Sequence, residues 1–286
     1  EVKLSGHVAE PFVEIAPDDA ERLGIAPASL VSIANGRAAV VVRALVTDRQ
    51  REGTVFVPIH WTDRFASSAR VDALVAPETD PVSGQPESKA TTVAVVPYAA
   101  RWYGFALTRS APTTIPADYW ARARIQGGER LELAGLDTPA DWTLSAECLF
   151  GAGVTLTTIA DRRAGRLRFA ALRDGEVVGL LLVAPTPVEA SRDWLVERFE
   201  AGPIAANEAM MLLAGRPGGA VADPGRRVCS CFGIGVNQIR AAVAEGCDTV
   251  AAIGEKTRAG TNCGSCRPEI GRILADERRV LAEAAE

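Results

Sequence analysis

The chain has six cysteines, at positions 148, 229, 231, 247, 263 and 266. Four of them form two close pairs, Cys229-Ser-Cys231 and Cys263-Gly-Ser-Cys266, with 31 residues between the pairs. Two such pairs, each on a tight turn, can deliver four thiolates to one metal centre. A [2Fe–2S] cluster takes four thiolates, two on each tetrahedral iron, and carries one electron at a time. Zinc also accepts four thiolates in paired spacings, as a structural staple, although its usual pairs leave two to four residues between the cysteines. Two disulfides are the third alternative, disfavoured in a reducing compartment. Ser230, Gly233, Gly235, Asn262, Gly264 and Ser265 surround the pairs. These small residues leave backbone N–H groups able to approach sulfur and tune a cluster. Only two histidines are present, His7 and His60, which excludes a multi-histidine centre. Cys148 stands alone and is expected to be a small buried hydrophobe; Cys247 is expected to pack between helices.

The elements around the cysteines read as helices. Val236, Ile239 and Val243 fall at i, i+3 and i+7 on one helical face, closed by Gly246. Residues 249–258 repeat the scheme with Val250 and Ile253, and Gly260 is expected to close them. Pro268–Ala285 reads as a third helix, with Ile270, Ile273, Leu274 and Leu281 on its apolar side. A linker rich in Gly and Pro, from Gly215 to Gly225, precedes this unit. Residues 1–97 read as mostly β. Asn35-Gly36 marks a hairpin before the apolar run 39–46, Gly53–Pro58 reads as a strand, and Asp18–Leu23 as a short helix stopped by Gly24. From about 98 to 215, a hairpin at Leu167–Val183 turning over Asp174-Gly175, with helices expected at 188–199 and 205–214, suggests a small α+β unit.

Composition bounds the rest. The 286 residues are 48% hydrophobic and 23% charged, ordinary values for a core-forming chain. A formal net charge of −5 argues against general binding to nucleic-acid backbones. No apolar run reaches the length of a transmembrane helix. The N-terminal Glu1-Val2-Lys3-Leu4 has no signal-peptide shape, so a cytoplasmic location is expected.

Val228-Cys-Ser-Cys-Phe-Gly-Ile-Gly-Val-Asn-Gln-Ile239 and Thr257-Arg-Ala-Gly-Thr-Asn-Cys-Gly-Ser-Cys266 closely resemble the bacterioferritin-associated ferredoxin-like [2Fe–2S] domain, over about residues 226–276. The resemblance implies a [2Fe–2S] cluster held by Cys229, Cys231, Cys263 and Cys266, in a small all-α unit spanning 226–286.

A second resemblance rests on Glu10-Pro-Phe-Val-Glu-Ile15, Gly53-Thr-Val-Phe-Val-Pro58 with His60-Trp61, and Asp80-Pro-Val-Ser-Gly-Gln-Pro-Glu-Ser-Lys89. These look like the C-terminal dinucleotide-binding domain of molybdopterin oxidoreductases. The implied fold is multidomain: a double-psi β-barrel over 1–97, the α+β segment over 98–215, and the cluster unit. The implied ligand of the barrel is molybdopterin guanine dinucleotide, contacted by His60, Trp61, Asp72, Ser83, Gln85 and Lys89. Asp72 replaces the Asn usual in that family, which removes two amide donors and adds a charge that repels phosphate.

The two blocks in this order resemble the tail of the assimilatory nitrate reductase catalytic-subunit family. That resemblance implies reduction of nitrate to nitrite, upstream molybdopterin and [4Fe–4S] domains in the same enzyme, and an external donor: a ferredoxin, a flavodoxin or a nicotinamide-dependent reductase subunit. Neither a molybdenum ligand nor [4Fe–4S] cysteines are recognisable, so the chain is expected to be a C-terminal fragment, inactive alone. The alternatives are a formate dehydrogenase-like molybdopterin enzyme, a stand-alone [2Fe–2S] docking module, and a zinc-stapled one.

Overall fold

The computed structural model describes residues 9–86, 91–217, 223–229, 232–262, 264 and 266–283. His7, Lys89, Ser230, Cys231, Cys263 and Ser265, among the residues named above, lie outside the described residues. The chain divides into two compact units. One comprises residues 1–188 with 202–209, the other residues 189–201 with 210–286.

The first unit is mostly β. Strand β1 (Phe12–Ile15), helix α1 (Pro17–Arg22), and strands β2 (Leu30–Ala34), β3 (Ala39–Val46), β4 (Val55–Phe56) and β5 (Ala94–Pro97) build a five-stranded sheet. Its order is β4-β1-β3-β2-β5. Strands β1 and β3 run parallel and the other pairs antiparallel. The β2–β3 hairpin turns at Asn35, whose side-chain oxygen accepts the N–H groups of Arg37 (2.9 Å) and Ala38 (3.1 Å). The hairpin falls where Asn-Gly marked it, but as an Asx turn with Asn35 at its first position and Gly36-Arg37 at its centre, not with Asn-Gly as the left-handed central pair. Helix α1 ends as expected, with Gly24 at φ +65°. The Gly53–Pro58 strand is shorter than its sequence suggests, because only Val55 and Phe56 find a partner, in β1.

The middle of the chain holds more strand than expected. Strands β6 (Trp102–Thr108), β7 (Tyr119–Ile125), β8 (Gly128–Gly135), β9 (Thr155–Asp161), β10 (Arg166–Arg173) and β11 (Glu176–Ala184) form one antiparallel sheet, with helix α2 (Trp142–Phe150) between β8 and β9. The order is β7-β8-β6-β11-β10-β9. The β10–β11 hairpin turns on Asp174 and Gly175, at φ +51° and +80°, the left-handed pair that such a two-residue turn needs. Ala106, Leu131, Leu133, Phe169, Ala171 and Leu181 on one face pack with Ala146, Leu149 and Phe150 of α2. Cys148 lies on the outer side of α2 and is exposed, contrary to the expectation of a buried residue. The helix buries Ala146, Leu149 and Phe150, and position 148 falls between them on the opposite side.

The second unit contains helix α3 (Arg192–Glu200), most of the short helix α4 (Ala209–Leu213), strands β12 (Arg227–Cys229) and β13 (Ile234–Gly235), and helices α5 (Val236–Ala244), α6 (Val250–Thr257) and α7 (Arg267–Glu283). The β12–β13 pair is a departure from the all-α expectation. The two cysteine-flanking segments pair as strands before α5 begins. Ile239, Val243, Ile253, Ile270, Ile273 and Leu274 are buried together, from the helical faces that the periodicity marked.

Candidate metal centre and cofactor cleft

Cys229 ends β12, and Cys266 lies immediately before α7. They are 37 positions apart, yet both are buried, at 2% and 7% exposure, in the cluster formed by α5, α6 and α7. Their thiols are within hydrogen-bonding reach of one another. Burial is the main force pushing the Cys266 thiol up from its ordinary range, and the neighbouring Cys229 adds to it. The N–H groups of Gly260 and of Cys266 itself pull the other way. A thiol pair buried side by side, with backbone donors aimed at sulfur, is costly unless something offsets the thiolate charge; a bound metal does this.

Local structure explains the convergence. Thr249 caps α6, its side-chain oxygen accepting the Ala252 N–H at 3.1 Å. The helix then stops at Arg258, which adopts the left-handed conformation at φ +67°. The stop comes two residues before Gly260, where the sequence suggested it. Gly260 (φ +76°) and Gly264 (φ +76°) turn the chain back toward β12. The Cys247 sulfur lies 3.8 Å from the Ala252 carbonyl and packs against the same apolar cluster.

The first unit holds a cleft of about 510 Å³ walled by Ile33, Phe56, Ile59, Val71, Leu74 and Val93, with His60 and Thr91 on its rim. A second cleft of about 500 Å³ shares Thr91 and adds Asn35, Arg37 and Thr92. Apolar walls suit a flat ring system, Arg37 with the threonine hydroxyl groups suits phosphate, and Glu78 on the same cleft suits the N–H edge of a guanine or pterin rather than phosphate, so these residues fit a dinucleotide-bearing pterin. The loop leading to the cleft is tied down by Asp19, whose Oδ2 accepts the Gly53 N–H at 2.7 Å. Arg22 and this N–H hold the Asp19 carboxyl below its usual range.

Among the described residues, those expected to contact the cofactor lie on several separate segments. His60 is exposed and lines the first cleft. Trp61 is half-buried beside it in sequence but is not among the lining residues. Asp72 sits on the 3₁₀ turn Val71–Leu74, whose Val71 and Leu74 face the cleft. Its own carboxylate is exposed and meets Arg70 at 3.2 Å. Ser83 and Gln85 belong to an exposed turn organised by Asp80. Asp80 Oδ1 accepts the N–H of Val82 (3.0 Å) and of Ser83 (2.7 Å) and the Ser83 hydroxyl (3.0 Å). These bonds hold the Asp80 carboxyl below its ordinary range. The Asp-Pro-Val-Ser run therefore shapes its own loop. The sequence marks Asn35 only as a turn residue, and Arg37, Thr91 and Thr92 carry no motif, because they meet only through the sheet.

Two family models match the chain. The molybdopterin dinucleotide binding domain matches residues 2–92. The BFD-like [2Fe–2S] binding domain matches residues 227–276, spanning both described thiols. The chain carries one domain of each kind. The two domains account for both cofactors, a molybdopterin dinucleotide and a [2Fe–2S] cluster. The chain is 38% identical over 280 residues to a nitrate reductase of Klebsiella oxytoca, covering 96% of this chain and 31% of that protein. It is 35% identical over 94 residues to an assimilatory nitrate reductase catalytic subunit of Bacillus subtilis, covering 33% of this chain and 13% of that protein. It is 36% identical over 86 residues to an F420-dependent formate dehydrogenase 1 subunit alpha of Methanococcus maripaludis, covering 30% of this chain and 12% of that one. The chain thus spans less than a third of the length of each of these relatives, and the match agrees with the C-terminal part of a nitrate reductase. No helix among the described residues is long and apolar enough to cross a membrane.

Proposed function

We propose that this chain serves as the cofactor-covering and electron-accepting part of a cytoplasmic molybdenum enzyme that reduces nitrate to nitrite and water. The observation that carries this reading is the 280-residue similarity to a nitrate reductase, which runs through both domains and the six-stranded sheet between them. The formate dehydrogenase likeness extends over only 86 residues. When bound, the cluster supplies one-electron transfer, and the molybdenum centre of the pterin supplies two-electron oxygen-atom chemistry on nitrate.

In this reading Cys229, Cys231, Cys263 and Cys266 hold the cluster. The apolar packing of Ile239, Ile253 and Ile270 around Cys229 and Cys266 keeps water from it. In the first unit, residues 1–97 close as a double-psi barrel over the dinucleotide. The cleft around Phe56 and Ile59 would hold a ring face, and His60, Thr91 and Arg37 would supply polar and cationic contacts to it. Trp61, Asp72, Ser83, Gln85 and Lys89 complete the approach to the cofactor. Upstream molybdopterin and [4Fe–4S] domains stand between the cluster and nitrate, and residues 98–215 form the connecting domain. The electron donor is a ferredoxin, a flavodoxin or a nicotinamide-dependent subunit.

The test is elemental and spectroscopic. Anaerobically prepared protein should contain about two irons and two acid-labile sulfides per chain. It should give a reduced S = 1/2 resonance that a Cys263→Ser variant loses. One zinc and no sulfide would defeat the reading. The enzyme containing these residues should turn over nitrate and not formate.

A further inference from the structure

Charged residues near the cysteine segments are mostly paired. Arg226 meets Glu269 at 2.6 Å, Arg227 meets Glu197 at 2.8 Å, and Arg240 meets Glu277 at 2.7 Å. Lys256 pairs with Glu245. Arg258 and Arg267 are different. Both are exposed, and neither has a carboxylate partner among the described residues.

Both also occupy places that local physics disfavours for them. Arg258 takes a left-handed conformation that suits glycine. Arg267 puts a cation in the first turn of a 17-residue helix, where the macrodipole favours an anion. Their positions are held by contacts beside the thiols. The Arg258 guanidinium lies 4.2 Å from the ring centre of Phe232, the residue after Cys231. The Arg267 stem covers Gly260 and Gly264. A Cβ on Gly260 would lie 3.0 Å from its Cγ, and one on Gly264 would lie 3.6 Å from its Cδ. Gly260 and Gly264 belong to the turn that leads into the buried Cys266. The loop tips Gly233, Thr261 and Asn262 are exposed alongside.

We infer that Arg258 and Arg267 form a docking surface for an acidic one-electron carrier protein that reduces the cluster. This rests on the electron-transfer reading above. Four thiolates and two sulfides outweigh the iron charge and leave a net negative centre, in a chain that is itself negative overall. An acidic donor would be repelled from such a site unless cations were displayed beside it. Exposed guanidinium groups with no carboxylate partner among the described residues place positive charge beside the cysteine segments and steer the encounter. In the step itself one electron leaves the reduced carrier, which is oxidised, and enters the oxidised cluster, which is reduced; no bond changes.

The experiment uses the full chain with its cluster in place and follows anaerobic bleaching of the cluster after mixing with a reduced acidic ferredoxin. The native rate should fall as salt is added. The R258E/R267E variant should be slower by about tenfold or more at low ionic strength, and the two should converge at high salt. Reduction by methyl viologen radical cation, a small donor of opposite charge, should not be slowed. Equal ferredoxin rates at low salt, or equal slowing with both donors, would overturn the docking surface while leaving the cluster reading intact. A chain with no iron or sulfide would overturn both. Should the charge reversal cost the cluster, R258Q/R267Q carries the same comparison, with a smaller loss expected and the same overturning result.

Discussion

Arg43 and Glu10 form a chelating ion pair inside the first unit. The Arg43 Nε lies 3.1 and 3.0 Å from the two Glu10 oxygens, and its Nη2 lies 2.8 Å from Oε2. The Tyr119 hydroxyl donates to the same Oε2 at 3.1 Å, and Glu132, 1% exposed, stands 4.0 Å from the guanidinium. Arg43 belongs to β3, while Tyr119 and Glu132 belong to β7 and β8, so the pair ties the two sheets together. Burial alone would lower the Arg43 pKa, but Glu10, Tyr119 and Glu132 outweigh it and hold the charge.

Removing one partner of this pair should be expensive. Arg43→Met leaves the half-buried Glu10 without its cation and removes the more distant of the two guanidinium groups beside Glu132, which keeps Arg130 at 2.8 Å. A loss of about 3–5 kcal/mol is expected for a broken buried pair. Urea unfolding of this unit, followed by tryptophan fluorescence, measures it. A change under about 1 kcal/mol would mean that water reaches the pair and screens it.

Tyr119 gives a pH prediction. Burial first, and then the Glu10 charge, raise its pKa well above the ordinary tyrosine range. A raised folded pKa means that the contribution to stability is complete below the unfolded value of about 10 and declines as pH rises through the folded value. Alkaline titration followed by tyrosinate absorbance should show one tyrosine ionising only as the fold opens. Tyr119→Phe should abolish that late step.

Hairpins and helix faces were legible where a local signal sufficed. Asn35-Gly36, Asp174-Gly175 and the Ile239/Val243 spacing each correspond to the observed element. The six-stranded sheet was not. The β10–β11 hairpin was read, but β6, to which β11 pairs, is buried along its whole length and lacks the alternation that marks a half-exposed strand. The thiol site was legible as four residues and a family pattern. The end of α6 was not, since a non-glycine left-handed residue such as Arg258 carries no sequence signal. The cleft residues Arg37 and Thr91 are far apart in the chain and meet only through the fold.

Gly179 is required for packing. A Cβ there would fall 2.1 Å from Cδ1 of Phe150, a ring buried where α2 packs on the sheet. Gly179→Ala should therefore cost about 1–3 kcal/mol or more by overpacking. Reducing the ring with Phe150→Leu in the same chain should recover part of that loss. Thermal unfolding of the single and double variants measures the coupling, and strictly additive losses would refute the contact.

The cysteines should differ sharply in what they hold. Cys266 is buried against Cys229, with backbone N–H groups directed at its sulfur. Cys247 is half-buried, and its sulfur is spent on the Ala252 carbonyl. Cys148 is exposed on α2, in the other unit. Cys266→Ser should therefore lose most of the iron and sulfide and the reduced S = 1/2 resonance. Cys247→Ser should keep both, with a small loss in stability from placing a hydroxyl against the apolar helices. Cys148→Ser should change neither. Iron, sulfide and resonance measured on the three variants separate ligation from packing, and retention of a full cluster by Cys266→Ser would remove that thiol from the ligand set.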